Sequence, residues 1–203
     1  MHLVSSCGQL AKYDYLRRHN KALQCFLNYV LQLYGFTETI PPWFSNTEVK
    51  PYYNNENATI WCDIPEFIND QIDENTDEDE GQEDVRRRKR PDGKILLKSE
   101  KKIYVVEMSV PWISNRDTKY IEKIEKYERI RRNLKINYPD HMIDQITLIM
   151  DVFGGHSKEL TMNIQKVIQN KSHRERIIFN MQKVVMSDLS YLSKKLKATA
   201  DVI

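Results

Sequence analysis

Long apolar runs are missing from this 203-residue chain. None approaches the roughly 18 residues that a bilayer-spanning helix needs, so no membrane span is expected. The segment Met1–Cys7 has neither a basic start nor an extended apolar stretch, so it does not read as a secretory signal. Cysteine is scarce. Cys7, Cys25 and Cys62 are too few and too irregularly spaced for a disulfide framework, which points to a reducing compartment. Internal repeats are absent as well. What is present, 40% hydrophobic and 30% charged residues, suits a soluble globular protein with one principal core and appendages.

The net charge of +2 conceals an asymmetry. Glu66 to Asp84 holds about ten acids and no lysine or arginine, whereas Arg86 to Ile203 holds about 26 basic and 14 acidic side chains. An excess of that size attracts polyanions in a salt-dependent way, and a solvated helical surface accounts for it equally well. The acidic stretch Asn69–Asp84 has too few apolar residues to order itself and reads as a flexible loop. The run Arg86-Arg87-Arg88-Lys89-Arg90 follows at once. Three readings stand side by side: phosphate contact, a nuclear-localisation signal, or neutralisation of the acidic loop.

Hydrophobic periodicity predicts a helix over Asp14–Tyr34, with Gly35 as its stop. Pro41-Pro42 enforces an extended path, and Thr59–Ile64 reads as a strand ended by Pro65. Lys94–Leu97 and Ile103–Val110 form a candidate hairpin around a charged Lys98–Lys102 turn. The second of these strands is almost continuously apolar, as a central strand buried on both faces would be. A helix capped by Asn115 or Asp117 is expected to run to about Asn137. A further strand covers Ile143–Met150, and two helices occupy Ser157 to about Lys197 with a break near Lys171–His173. The order helix, strand, hairpin, helix, strand, helix implies an α/β layered domain with a central mixed sheet flanked by helices. Residues 14–155 form its core, with a flexible 69–90 loop inside it, and residues 156–203 are C-terminal helices.

One pair of acids within that frame invites a chemical reading. Asp92 lies where the hairpin begins and Glu107 stands about 15 residues later, near the end of the partner strand. A glutamate inside Ile103–Val110 costs several kcal/mol if buried unpaired, unless a cation or metal ion accompanies it. Phosphodiester hydrolysis uses such carboxylates to hold a divalent ion, and Mg²⁺ prefers one or two of them. The pattern equally allows Asp92 as a turn residue and Glu107 as a solvent-facing acid. A cation is also required near the phosphate. Ser109 supplies none two residues after the glutamate, but Lys119, Lys123, Lys126 and Tyr127 share a face of the following helix. A surface stripe paired with Glu122 and Glu125 is the alternative.

Several motifs occur in a fixed order: Arg17-Arg18-His19-Asn20, Arg90-Pro91-Asp92-Gly93, Val106-Glu107-Met108-Ser109-Val110-Pro111-Trp112, Asn115, and Tyr120-Ile121-Glu122-Lys123-Ile124-Glu125-Lys126-Tyr127. Over roughly Arg17–Gly155 this set resembles the PD-(D/E)xK restriction-like endonuclease domain of site-specific non-LTR retrotransposon polyproteins. The resemblance implies a restriction-endonuclease-like fold and nicking of target DNA with Mg²⁺ or Mn²⁺, without a small-molecule cofactor. It implies Asp92 and Glu107 as metal carboxylates and Lys123 as the migrated catalytic lysine, with Lys126 as the alternative and Tyr127 in support. Arg17, His19 and Asn20 match an upstream motif expected near DNA or the active site, and Arg86–Arg90 and Lys119 are candidate DNA contacts. The implied partners are DNA, the reverse transcriptase region of the parent polyprotein and the element RNA, in the nucleus after import.

His2 and Cys7 match the end of the zinc knuckle that precedes this domain in the family, so residues 1–13 read as its remnant. A closed zinc site needs four ligands, and the two upstream cysteines are absent, so Zn²⁺ is expected only if they were restored. A catalytically inactive nuclease-fold module that binds DNA or protein is the alternative function.

Overall fold

The computed structural model describes residues 11–66 and 90–200, with side chains over 13–66 and 90–195. A π-helical turn, Ala11–Tyr15, leads into helix α1, Leu16–Leu33. Ala22, Phe26 and Val30 recur every fourth residue on its inner face and are fully buried. The helix ends where Gly35 takes φ +77°, with Gly35 N–H donating to Gln32 O and Phe36 N–H to Leu31 O. That pair of bonds is a Schellman cap, and it needs a residue free to adopt positive φ.

Five strands follow: β1 (Tyr52–Asn54), β2 (Ala58–Cys62), β3 (Gly93–Leu97), β4 (Lys102–Ser109) and β5 (Met142–Ile149). They form one mixed sheet in sequence order, antiparallel except for the parallel β4–β5 pair. Parallel neighbours require a crossover, supplied here by α2 (Arg116–Lys126) and α3 (Glu128–Asn137). Helices α4 (Lys158–Gln165) and α5 (Lys171–Ala200) complete the chain. The expected α/β fold with a mixed sheet between helical layers is therefore present. Among the described residues no helix is long and apolar enough to cross a membrane.

The alternation of β4 divides the core. Tyr104, Val106 and Met108 face α1, α4 and α5 and join the main hydrophobic cluster. Ile103 and Val105 face the other way, onto Tyr127, Ile130 and Leu134. Glu107 is the next residue in that second series, so the pleat directs it toward the α2–α3 layer. Six consecutive residues of β4, Ile103–Met108, are buried, as the apolar run predicts.

The structure departs from the expected elements in three places. The helix expected to run unbroken to Asn137 breaks at Tyr127, which has φ −105° and ψ 9°. There the ring is fully buried and its hydroxyl donates to Arg90 O at 3.1 Å, so the chain turns around an anchored side chain. Asn115 does not cap α2 through its side chain, whose Oδ1 accepts from Ser114 Oγ. The break expected near Lys171–His173 lies just before it, between Gln165 and Lys171, where Asn170 Oδ1 caps α5 by accepting from His173 N–H. The short β1 strand was not expected at all. The acidic stretch 69–84, the basic residues Arg86, Arg87, Arg88 and Lys89, and the knuckle remnant with His2 and Cys7 lie outside the described residues.

Candidate functional site

Asp92 and Glu107 meet at one end of the β3–β4 pair. The ladder runs from Leu97↔Lys102 to Gly93↔Val106. Continued by one residue, the same register sets Asp92 opposite Glu107, where Cα atoms are about 4.5–5.5 Å apart in antiparallel pairs. The position of Asp92 is fixed from several sides. Asp63 N–H donates to Asp92 O at 3.0 Å, tying the start of β3 to the end of β2. Arg90, two residues earlier, reaches back to Asp63, with Nε 2.7 Å from its carbonyl oxygen and Nη2 2.5 Å from Oδ2. Lys94 pairs with Glu66 and lies 4.3 Å from the centre of the Trp61 ring.

The Asp92 carboxylate receives two donors on the same oxygen. Met108 N–H lies 2.7 Å from Oδ2, and His19 Nε2 lies 3.1 Å from it. His19 Nε2 is also 3.1 Å from Met108 O. A carbonyl oxygen can only accept, so Nε2 must carry a proton. The other ring nitrogen, Nδ1, is 2.9 Å from Asn20 Oδ1. Burial works against a charge on His19, but the hydrogen bond and charge of Asp92, with Asn20 and Met108, outweigh it and carry its pKa up to about 9.

Glu107 is buried, with its side chain 3% exposed. Lys123 Nζ pairs with its Oε1, and Lys126 Nζ stands 4.0 Å from the same oxygen. Oε2 is buried and, among the described residues, has no hydrogen-bond partner, the neighbouring Tyr127 hydroxyl being turned to Arg90 O. Burial, with the Asp92 charge added, raises the Glu107 pKa, and the opposing pull of Lys123 and Tyr127 does not cancel this. Burial likewise raises the Tyr127 phenol, helped by the negative charge of Glu107. Gln145 of β5 holds the lysine's backbone in place: its Nε2 donates to Lys123 O and to Thr147 Oγ1, each at 2.9 Å.

The residues singled out in the sequence fall into two groups. Asp92, Glu107, Lys123, Lys126, Tyr127, His19 and Asn20 converge at this end of the sheet. Arg17, Lys119 and Arg90 are committed elsewhere. The Arg17 guanidinium pairs with Asp188 and lies 4.1 Å from the centre of the Tyr191 ring. Lys119 pairs with Glu122 at 2.6 Å. Arg90 grips Asp63. Gln145 carries no sequence signal, because a lone polar residue in an apolar strand says nothing about its partner. A cleft of about 850 Å³ lies along α1, lined in part by His19, Asn20, Lys21, Asn46 and Asp63, and it reaches Asp92.

Two carboxylate oxygens could accept a cation. One is the orphaned Glu107 Oε2. The other is Asp92 Oδ1, since the hydrogen bonds from His19 and Met108 both fall on Oδ2. Among those residues, no group of three or more His, Cys, Asp and Glu side chains could hold a metal ion. A pair of carboxylates is short of the closed ligand set that Zn²⁺ needs, whereas Mg²⁺ can be held by one or two carboxylates with water. Comparison of the chain with protein-family models, curated proteins and solved structures returns no match.

Proposed function

We propose that this chain is a metal-dependent DNA endonuclease domain that nicks a phosphodiester bond at the Asp92–Glu107 end of the sheet. The observation that carries the proposal is the buried Glu107 carboxylate, whose Oε2 has no partner among the described residues even with Lys123 on Oε1. A carboxylate left that way is costly unless a cation completes it. Asp92 and Glu107 would hold Mg²⁺ or Mn²⁺ through their remaining oxygens. The chemistry such an ion would supply is polarisation of the phosphate and a lowered pKa for a bound water. Lys123, paired with Glu107, and the more exposed Lys126, 4.0 Å from the same oxygen, would supply the positive charge that a bound phosphate needs. Tyr127 and Gln145 set the height and rotation of α2 so that both lysines reach this end. The order of the motifs along the chain supports the same reading, including the resemblance to retrotransposon endonuclease domains.

A plasmid-nicking assay tests the proposal directly. Supercoiled plasmid should relax in Mg²⁺ or Mn²⁺, remain intact in EDTA, and remain intact with Asp92→Asn or Glu107→Gln. A fully active Asp92→Asn protein, equally folded, refutes the assignment.

A further inference from the structure

His19 is paired with a carboxylate rather than displayed toward a ligand, and this changes what it can do. Its Nε2–H sits between two acceptors, Asp92 Oδ2 and Met108 O, each at 3.1 Å. Met108 N–H donates to that same Oδ2 at 2.7 Å. The Asp92 carboxylate is thereby held by α1 on one side and by the β4 backbone on the other. Both restraints act on Oδ2. Neither touches Oδ1. The ring itself is held through Nδ1 by the neighbouring Asn20, and the His19 side chain is 22% exposed, so most of it is enclosed.

We propose that His19 is a positioning residue that assigns the two oxygens of Asp92, tying Oδ2 to the protein and leaving Oδ1 for a divalent ion. This rests on the metal-site reading above and deepens it. A free carboxylate can rotate and bind an ion through either oxygen or both. A carboxylate restrained on one oxygen offers a single ligand atom in a fixed direction, which suits an ion that demands near-octahedral geometry. The contact spans 73 residues of sequence, so α1 becomes part of the metal site without supplying a ligand. The upstream motif places His19 near DNA or the active site. Within the site, its Nε2 reaches the protein's own acid.

The test compares the full chain with His19→Gln, which keeps a donor at the Nε2 position, and His19→Met, which has similar bulk and no donor. Mn²⁺ binding is measured by the loss of the free-ion electron paramagnetic resonance signal, without DNA, and thermal melts confirm folding. The wild type should bind Mn²⁺ and Asp92→Asn should not. His19→Met should bind about 10- to 100-fold more weakly, and His19→Gln should recover most of that loss. If the wild type binds and His19→Met binds equally well or more tightly, the positioning role is wrong while the metal site stands. If the wild type binds no Mn²⁺, the metal site fails and the positioning role fails with it. Should His19→Met not fold, His19→Gln decides alone, since binding as weak as that of Asp92→Asn refutes the proposal.

Discussion

Lys123 of α2 pairs with Glu107 of β4, and the glutamate is the more deeply buried partner, at 3% side-chain exposure against 17%. This asymmetry means that removing the lysine strands a charge, whereas removing the glutamate merely releases a lysine toward water. Lys123→Met should therefore destabilise the metal-free protein by about 3–5 kcal/mol. Glu107→Gln should cost less, and the double variant should fall short of the sum. Urea melts of the four proteins measure this coupling. Strict additivity would mean that the pair does not interact.

The lysines of α2 should separate by task. Lys119 is bound to Glu122 on an exposed face, where such pairs contribute only about 0.2–0.5 kcal/mol. Lys119→Ala should leave stability, nicking and DNA affinity close to wild type. Lys126 is 42% exposed and lies at the rim of the carboxylate pair. Lys126→Ala should weaken DNA binding in EDTA and lower the slope of log affinity against log salt by about one. An unchanged slope would remove Lys126 from the phosphate path.

Gln145 links β5 to α2 through the Lys123 carbonyl. Gln145→Met keeps the bulk but leaves that carbonyl without its donor, a loss of about 1–3 kcal/mol. The nicking rate should fall as well, because the backbone beneath Lys123 is loosened. A variant that loses stability at full activity would show that the bond serves the fold alone.

Burial raises both described thiols, with Cys25 and Cys62 each pushed up to about 12. A higher pKa leaves less thiolate at a given pH, and the thiolate is the reactive form. In a Cys7→Ser background, Ellman's reagent at pH 8 should find no fast thiol in the native protein and two in guanidinium. A rapid native reaction would show that one of these cysteines is accessible.

Much of the scaffold was legible because burial leaves a periodic trace. The run Ile103–Val110 announced a central strand, the spacing in α1 announced its inner face, and Gly35 marked its end. Glu107 stood out for the same reason, as a charge inside an apolar run. Other features leave no such trace. Strand β1 is three residues long and crowded by Pro51, Asn54 and Asn55, which mask its pattern. The break at Tyr127 is invisible to periodicity, since α3 continues the apolar spacing of α2 after the turn. The His19–Asp92 contact depends on how α1 lies across the sheet, and no local signal encodes that. The same holds for Gln145, whose partner lies 22 residues earlier.

The Arg90–Asp63 clasp, with Lys94–Glu66 beside it, joins the two chain ends that flank residues 67–89. These contacts, with the Asp63 N–H to Asp92 O hydrogen bond, hold the two ends next to each other beside Asp92. Loop closure adds only about 0.6 kcal/mol for each doubling of length once the ends are held together. The clasp thus makes this point of the fold a socket, where segments of different size and charge can be exchanged while the carboxylate pair stays in register.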